Sequence, residues 1–126
     1  MGINYLDKLN DTFIELLTDL TTVFPHDTDL RIYLMATEAA LEINPWLLHN
    51  VCKNNMLAYE DHILSRNEDF FIQFNATSND NIQKIITKLK TLWGQLGTTD
   101  KDVVWRYFKT MILIYRRIDK SMYNES

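Results

Sequence analysis

The chain has little of what several protein classes depend on. Its 126 residues include 1 Cys, 2 Pro and 3 Gly. A single cysteine, Cys52, cannot form an internal disulfide or supply a cysteine-rich zinc site. So few glycines and prolines disfavour a turn-rich β-sandwich or barrel and exclude a glycine-rich phosphate-binding loop. The composition is likewise unlike that of a disulfide scaffold or a collagen.

Long hydrophobic runs are also missing. The longest uninterrupted apolar run, residues 111–115, is far shorter than the roughly 20 residues of a membrane span. The first residues lack the basic and apolar segments of a signal peptide. We therefore expect an intracellular chain that is neither secreted nor membrane-spanning. An apolar fraction of 46% and a charged fraction of 24% are typical of one globular domain, covering residues 1–126.

Hydrophobic residues repeat at steps of three and four along most of the chain, a spacing that predicts amphipathic helices. The first helix is expected to end at Phe24-Pro25, because the residue before a proline is pushed out of the helical region. Asp27 or Thr28 caps the second helix, and Asn44-Pro45 is expected to start the third. The inward stripe predicted for the second helix comprises Leu30, Tyr33, Leu34, Thr37, Ala40 and Leu41.

The second half of the chain has the strongest helical pattern, in an apolar series that runs from residue 82 to 96. A last helix is predicted to start at the capping-box-like segment 99–102 and to fray into a tail over 121–126. For residues 56–76 the sequence leaves two alternatives. The segment forms short helices, one of them capped by Asn67, or it includes an extended piece at 70–74. The predicted fold is all-α, a compact single-domain bundle of about five or six helices.

The net charge of −4 conceals an uneven distribution. Residues 1–78 carry 4 basic and 12 acidic side chains, a net of −8, whereas residues 79–126 carry 9 basic and 5 acidic side chains, a net of +4. In one interpretation the two halves face each other within the fold or between subunits. In the other, the basic half meets an acidic partner, either a nucleic acid or an acidic protein surface.

Basic residues of the last helix fall on one side of it. At about 100° per residue, five cations share an arc of about 100°. These candidate partner-binding residues are Arg106, Lys109, Arg116, Arg117 and Lys120. The chain as a whole is acidic, unlike most dedicated DNA-binding proteins, so a solvated or protein-facing stripe is favoured over phosphate contact.

No catalytic, metal or cofactor site is predicted. His49 and Cys52 share a helix face, but two ligands do not make a zinc site, and Cys52 is expected in the core. The acidic pairs at 60–61 and 68–69 flank His62, and a hydrolase could in principle use such carboxylates, yet adjacent side chains diverge within each pair. Most of a set of aromatic residues are expected in the core, and any left outside would mark a protein contact: Tyr59, Phe70, Phe71, Phe74, Trp105, Tyr107 and Phe108.

Several short motifs occur in a characteristic order along the chain. They are Phe24–Leu30, Asn44-Pro45, Tyr59–Ile63, Glu68–Phe71, Trp93 and Lys101–Phe108. As a set, over about residues 20–118, they resemble short helical proteins encoded by nucleocytoplasmic large DNA viruses of algae and amoebae. The resemblance implies a viral setting, in the particle or in the virus factory of the host cytoplasm. It implies no catalytic residues.

The motifs themselves have a direct physical interpretation. Glu68-Asp69 are expected to receive Lys101 or Arg106, and Trp105 and Phe108 to lie against the Phe70-Phe71 pair. The sequence thus predicts a non-enzymatic structural or protein-interaction protein. The resemblance implies that it is a minor virion or assembly component that binds other viral proteins or itself. The alternative is an accessory protein that touches nucleic acid through the basic stripe. A third possibility is a groove that buries an amphipathic partner helix.

Overall fold

The computed structural model describes residues 4–53, 60–73 and 80–124, which form seven α-helices. Four are long: α1 (Tyr5–Val23), α2 (Thr28–Ile43), α6 (Asp80–Trp93) and α7 (Thr98–Asn124). Three short helices lie between α2 and α6: α3 (Leu47–Val51), α4 (Glu60–Leu64) and α5 (Glu68–Gln73). Over these described ranges there is no strand, and the predicted all-α class is confirmed.

Helix α1 organises the core, because it packs against α2, α3 and α7. Its buried stripe includes Leu9 and Leu17, both fully buried, together with Phe13, Leu16 and Leu20. Helix α6 packs on α2, and α4 packs on α7. The steps of three and four that predicted amphipathic helices therefore mark the faces that meet in the core.

Side-chain caps fix the starts of two helices. The Asp27 carboxylate accepts the Leu30 N–H at 3.2 Å, so Asp27 is the cap of α2. The Asn67 side chain accepts the Phe70 N–H at 3.1 Å, as predicted, and α5 follows. Residues 68–73 are thus helical, so of the two alternatives predicted for this segment the short helix is correct and the extended piece is not. Phe74 lies outside the described residues.

Several predicted helix boundaries differ from the structure. Helix α3 begins at Leu47, later than predicted, because the Asn44 side chain accepts the Trp46 N–H at 3.2 Å and holds a turn before the helix. Helix α6 ends at Trp93, because Gly94 is a poor helix former. Helix α7 begins at residue 98 and extends to Asn124, so residues 121–124 of the predicted tail are helical.

An aromatic cluster joins α5 to α6 and α7. The Phe71 ring centroid lies 4.8 Å from that of Trp93, 6.1 Å from that of Trp105 and 5.9 Å from that of Phe108. The predicted packing of the Phe70-Phe71 pair against Trp105 and Phe108 is confirmed for Phe71. Phe71, Trp93 and Trp105 are buried, whereas Phe70, Tyr107 and Phe108 are half-buried. Tyr59, the remaining member of the predicted aromatic set, lies outside the described residues.

Candidate interaction surfaces

Four predicted partner-binding residues are exposed along one side of α7: Arg106, Lys109, Arg116 and Arg117. We call these four residues the basic face. Eleven residues separate its ends, a distance of about 16 Å along a helix. The fifth predicted residue, Lys120, belongs to α7, but its side chain is not among those that the structure describes.

Two arginines of the basic face are already engaged within the molecule. Arg106 lies 2.9 Å from the Asp102 carboxylate, one helical turn earlier. Arg116 forms an ion pair with Glu60 of α4. The hydrogen bond from Arg66 lowers the pKa of Asp102, against partial desolvation, and the charges of Arg106 and Arg66 lower it further. Arg116 therefore joins α7 to α4, whereas the Arg106 pair lies within α7 itself.

The other two cations of the basic face are differently placed. Within the described ranges, Lys109 and Arg117 form no ion pair. Leu113 lies among the four cations, within about 20° of the line through Arg106, and its relative exposure is 48%. The surface therefore combines an exposed apolar side chain with a surrounding of positive charge.

Acidic residues of the first half of the chain do pair with basic residues of the second half. Lys88 of α6 lies 3.0 Å from Asp27 and 3.1 Å from Asp29. Lys101 lies 3.2 Å from Glu68, which confirms that predicted pair, whereas Arg106 binds Asp102 instead. Part of the charge asymmetry is thus used inside the fold.

The pair between α6 and the start of α2 perturbs both partners. Desolvation raises the pKa of Asp27, but hydrogen bonds from Lys88 and from the Leu30 N–H outweigh it, so the pKa lies below its ordinary value. Hydrogen bonds to Asp27 and Asp29 raise the pKa of Lys88. Both shifts favour the charged forms, so the pair stabilises the contact between α2 and α6.

The acidic pairs around His62 do not converge on it. Glu60 binds Arg116, and Glu68 accepts the Trp93 Nε1–H at 2.8 Å. The His62 ring stacks on Phe70, with centroids 4.7 Å apart, and its Nδ1 lies 3.1 Å from the Asn67 amide nitrogen. These contacts are those of a folded corner between α4 and α5.

His49 and Cys52 are buried together on α3 and just after it. The His49 ring centroid lies 5.1 Å from those of both Trp46 and Tyr115. Neither His49 ring nitrogen has a hydrogen-bond partner among the described residues. Burial raises the pKa of the Cys52 thiol to about 12. In the described part of the chain, no three His, Cys, Asp or Glu residues come together as a metal site would require.

An apolar cavity of about 80 Å³ lies beside Cys52. Helices α1, α3 and α7 each contribute to its wall, through Phe13, Leu48 and Met111 respectively. A helix is about 10 Å across with its side chains, so this cavity is too small for the partner helix of the third interpretation.

A second exposed surface, on α2, was missed by the sequence prediction. Ile32, Met35 and Ile43 have relative exposures of 59%, 70% and 86%. The predicted inward stripe of α2 is confirmed at Leu30, Thr37 and Leu41, which are buried, and Tyr33 and Leu34 pack against the core. With Ala36 and Ala39, which are also exposed, the outward series runs in the same steps of three and four. The signal was therefore present, but one apolar stripe already accounted for an amphipathic helix.

Two findings concern the described residues as a whole. None of their helices combines the length and the apolar character needed to cross a membrane. Comparison of the sequence with protein-family models, with curated proteins and with solved structures finds no match.

Proposed function

We propose that this chain is a non-enzymatic protein-interaction component that binds an acidic protein surface through the basic face of α7. Following the sequence resemblance, we place it among the minor components of a viral particle or of its assembly. The observation that carries the binding proposal is the position of Leu113, half-exposed among four cations.

An exposed leucine within a charged helix face suits a protein partner. Protein interfaces combine a small apolar centre with a polar or charged rim. Leu113 supplies such a centre, and Lys109 and Arg117 supply a rim that steers an acidic partner by long-range attraction. Arg106 and Arg116 complete the rim around it.

Nucleic acid remains the alternative partner, because four cations on one helix side are the footprint expected of phosphate contacts. Two observations favour protein. Asp102 and Glu60 already neutralise Arg106 and Arg116 in part, which reduces the number of phosphates that the face can bind. An exposed leucine gains nothing from a solvated phosphate backbone.

The first test is co-isolation of the tagged chain from its native source. The variant Lys109→Glu/Arg117→Glu reverses the two cations that form no ion pair within the described residues. Lys53→Glu/Lys84→Glu is the matched control, because it changes the net charge equally at two exposed lysines outside α7. We expect a partner protein in fixed ratio to the wild type and to the control, and its loss with the first variant.

The second test separates protein from nucleic acid. Binding of the wild type to a DNA duplex and to an RNA duplex is measured over a series of salt concentrations. Phosphate contacts would make the affinity fall steeply with added salt. Such a fall, abolished by Lys109→Glu/Arg117→Glu, would overturn the protein proposal in favour of the alternative. Equal recovery of the partner protein with both double variants would also contradict it.

A further inference from the structure

Helix α2 has a second apolar face on the side away from the core. The exposed residues Ile32, Met35, Ala36, Ala39 and Ile43 lie within an arc of about 100° around the helix. Their side is roughly opposite to that of the buried residues of α2, Leu30, Thr37 and Leu41. A helix with apolar residues on two opposite sides is typical of one that is contacted on both.

The other long helices that pack on α2 do not share this feature. The exposed positions of α6 are occupied by Lys84, Thr87 and Thr91. Those of α1 are almost all charged or polar, with Val23 at its end as the exception. Among the described residues of these three helices, a row of several exposed apolar side chains therefore occurs on α2 alone.

We propose that α2 packs in antiparallel orientation against α2 of a second copy of this chain. A two-fold axis beside residues 37 and 38 places Ile32 of one copy opposite Ile43 of the second copy. Ala36 and Ala39 then face each other near the axis, where their small side chains let the two helices approach closely. Isologous pairing of this kind closes the assembly at a dimer.

Charges beside the stripe favour a second copy in this orientation. Arg31 and Glu42 are exposed on the same flank of α2, near its opposite ends. In an antiparallel pair, like flanks meet, so each Arg31 lies near Glu42 of the second copy. In a parallel two-fold pair unlike flanks meet, so Arg31 would have no Glu42 of the second copy beside it. The acidic flank residues Glu38 and Glu42 also disfavour an anionic lipid surface as the occupant.

The size of the face sets the strength of the association. The stripe from Ile32 to Ile43 is about 16 Å long. A stable interface buries about 800 Å² on each partner, which is more than one helix face provides. We therefore expect a reversible monomer–dimer equilibrium that depends on protein concentration.

Sedimentation velocity over a dilution series tests the dimer. Ile43→Lys is expected to raise the dissociation constant about tenfold or more, because it removes a buried side chain at both ends of a two-fold interface. Ile72→Lys is the matched control, because Ile72 is an exposed isoleucine on α5, outside both proposed surfaces, and it should leave the constant unchanged. Circular dichroism checks that both variants remain folded.

Two charge variants test the orientation and the occupant. Glu42→Arg should weaken the dimer, and Arg31→Glu/Glu42→Arg should restore it. Glu38 lies beside the axis, near Glu38 of the second copy, so Glu38→Gln should tighten the dimer. Glu38→Gln would instead weaken the binding of a basic partner helix. Weaker association of this variant would therefore overturn the proposal.

Other outcomes also decide the matter. A wild type that stays monomeric at the highest accessible concentration contradicts the proposal, as does a dimer that is insensitive to Ile43→Lys. Flotation with vesicles of phosphatidylcholine and phosphatidylserine tests whether a membrane surface occupies this face. Vesicle binding by a monomeric wild type, lost in Ile43→Lys, would assign the face to a membrane surface instead.

Discussion

At the scale of single residues, Arg66 has an unusual backbone. Its φ is 57°, and among the described residues it is the one non-glycine residue with a positive φ. It lies in the turn that follows α4, where the Asn67 N–H donates to the His62 carbonyl at 2.9 Å and the Arg66 N–H donates to the Ile63 carbonyl at 3.1 Å. This left-handed position usually carries glycine, because a Cβ destabilises it by about 1 kcal/mol or more.

Two substitutions at Arg66 isolate this backbone effect. Both Arg66→Gly and Arg66→Ala remove the ion pair with Asp102. The glycine variant should nevertheless be more stable than the alanine variant by about 1 kcal/mol, because only glycine adopts the left-handed conformation without strain. Urea unfolding followed by circular dichroism measures the difference. Equal stabilities would show that position 66 is not left-handed in solution.

The reactivity of Cys52 is a second property of a single residue. Its exposure is 2%, and burial raises its pKa from 9.0 to about 12. The thiolate is the reactive form, so ionisation alone should slow alkylation of the folded protein about a thousandfold relative to the urea-unfolded chain. Because the chain has a single cysteine, the rate of iodoacetamide modification reports this site alone. A folded protein that reacts at the unfolded rate would contradict the burial.

At the scale of helices, Lys88 joins α6 to the first turn of α2. The Lys88 and Asp27 side chains have relative exposures of 18% and 16%. Folding lowers the pKa of Asp27. Its contribution to stability is therefore present above pH 3.8 and is lost as the pH falls through the lowered pKa of the folded state. Folding raises the pKa of Lys88. Its contribution to stability is therefore present below pH 10.5 and is lost as the pH rises through the raised pKa of the folded state.

Replacement of Lys88 by methionine tests this contact. Lys88→Met should lower the free energy of unfolding near neutral pH by about 1–2 kcal/mol, because it leaves two carboxylates without their cation. The deficit should shrink at a pH well below 3.8, where Asp27 is protonated in the wild type as well. Lys84→Met, at an exposed lysine of the same helix, is the control and should cost little. A deficit independent of pH would contradict the assigned pair.

The helices differ in how well the sequence predicts them. Helices α1, α2, α6 and α7 were predictable because each repeats its apolar spacing over several turns. Helix α5 has six residues, too few for a periodicity, and its stability comes from Phe71 packing on Trp93 and Trp105. Such contacts lie far apart in sequence, so only the Asn67 cap signalled a helix there.

At the scale of the whole molecule, Arg116 and its neighbour Arg117 have separate roles. Arg116 joins α7 to Glu60 of α4, whose side chain has a relative exposure of 13%. Arg116→Ala should therefore lower the free energy of unfolding by about 1–3 kcal/mol, since it leaves a largely buried carboxylate unpaired. Arg117→Ala should change it by less than about 0.5 kcal/mol, because this side chain is exposed. Thermal and urea unfolding of both variants check the contrast.

Partner binding, unlike stability, is expected to depend on Arg117. Arg117→Ala should weaken capture of the partner protein while the fold stays intact. Equal loss of stability in the two variants would show that Arg117 also serves the fold, and its place in the binding face would then need revision.

The candidate surfaces were partly predictable for the same reason as the helices. Helical periodicity fixes which residues of α7 share a side, so the exposure of Lys109 and Arg117 follows from sequence. The pairing of Arg116 with Glu60 spans 56 residues and depends on how α4 docks on α7. The outward face of α2 needs knowledge of which side the core covers, and the sequence pattern alone does not supply it.

The arrangement of the three tryptophans has an optical consequence. The rings of Trp93 and Trp105 lie 5.6 Å apart at 82° to each other and are buried, whereas Trp46 has a relative exposure of 41%. We expect two indoles at this separation to couple their electronic transitions, giving a paired circular-dichroism band that disappears when the core opens. Acrylamide quenches Trp46 selectively, so the unmodified protein reports on its core and on its surface through separate signals.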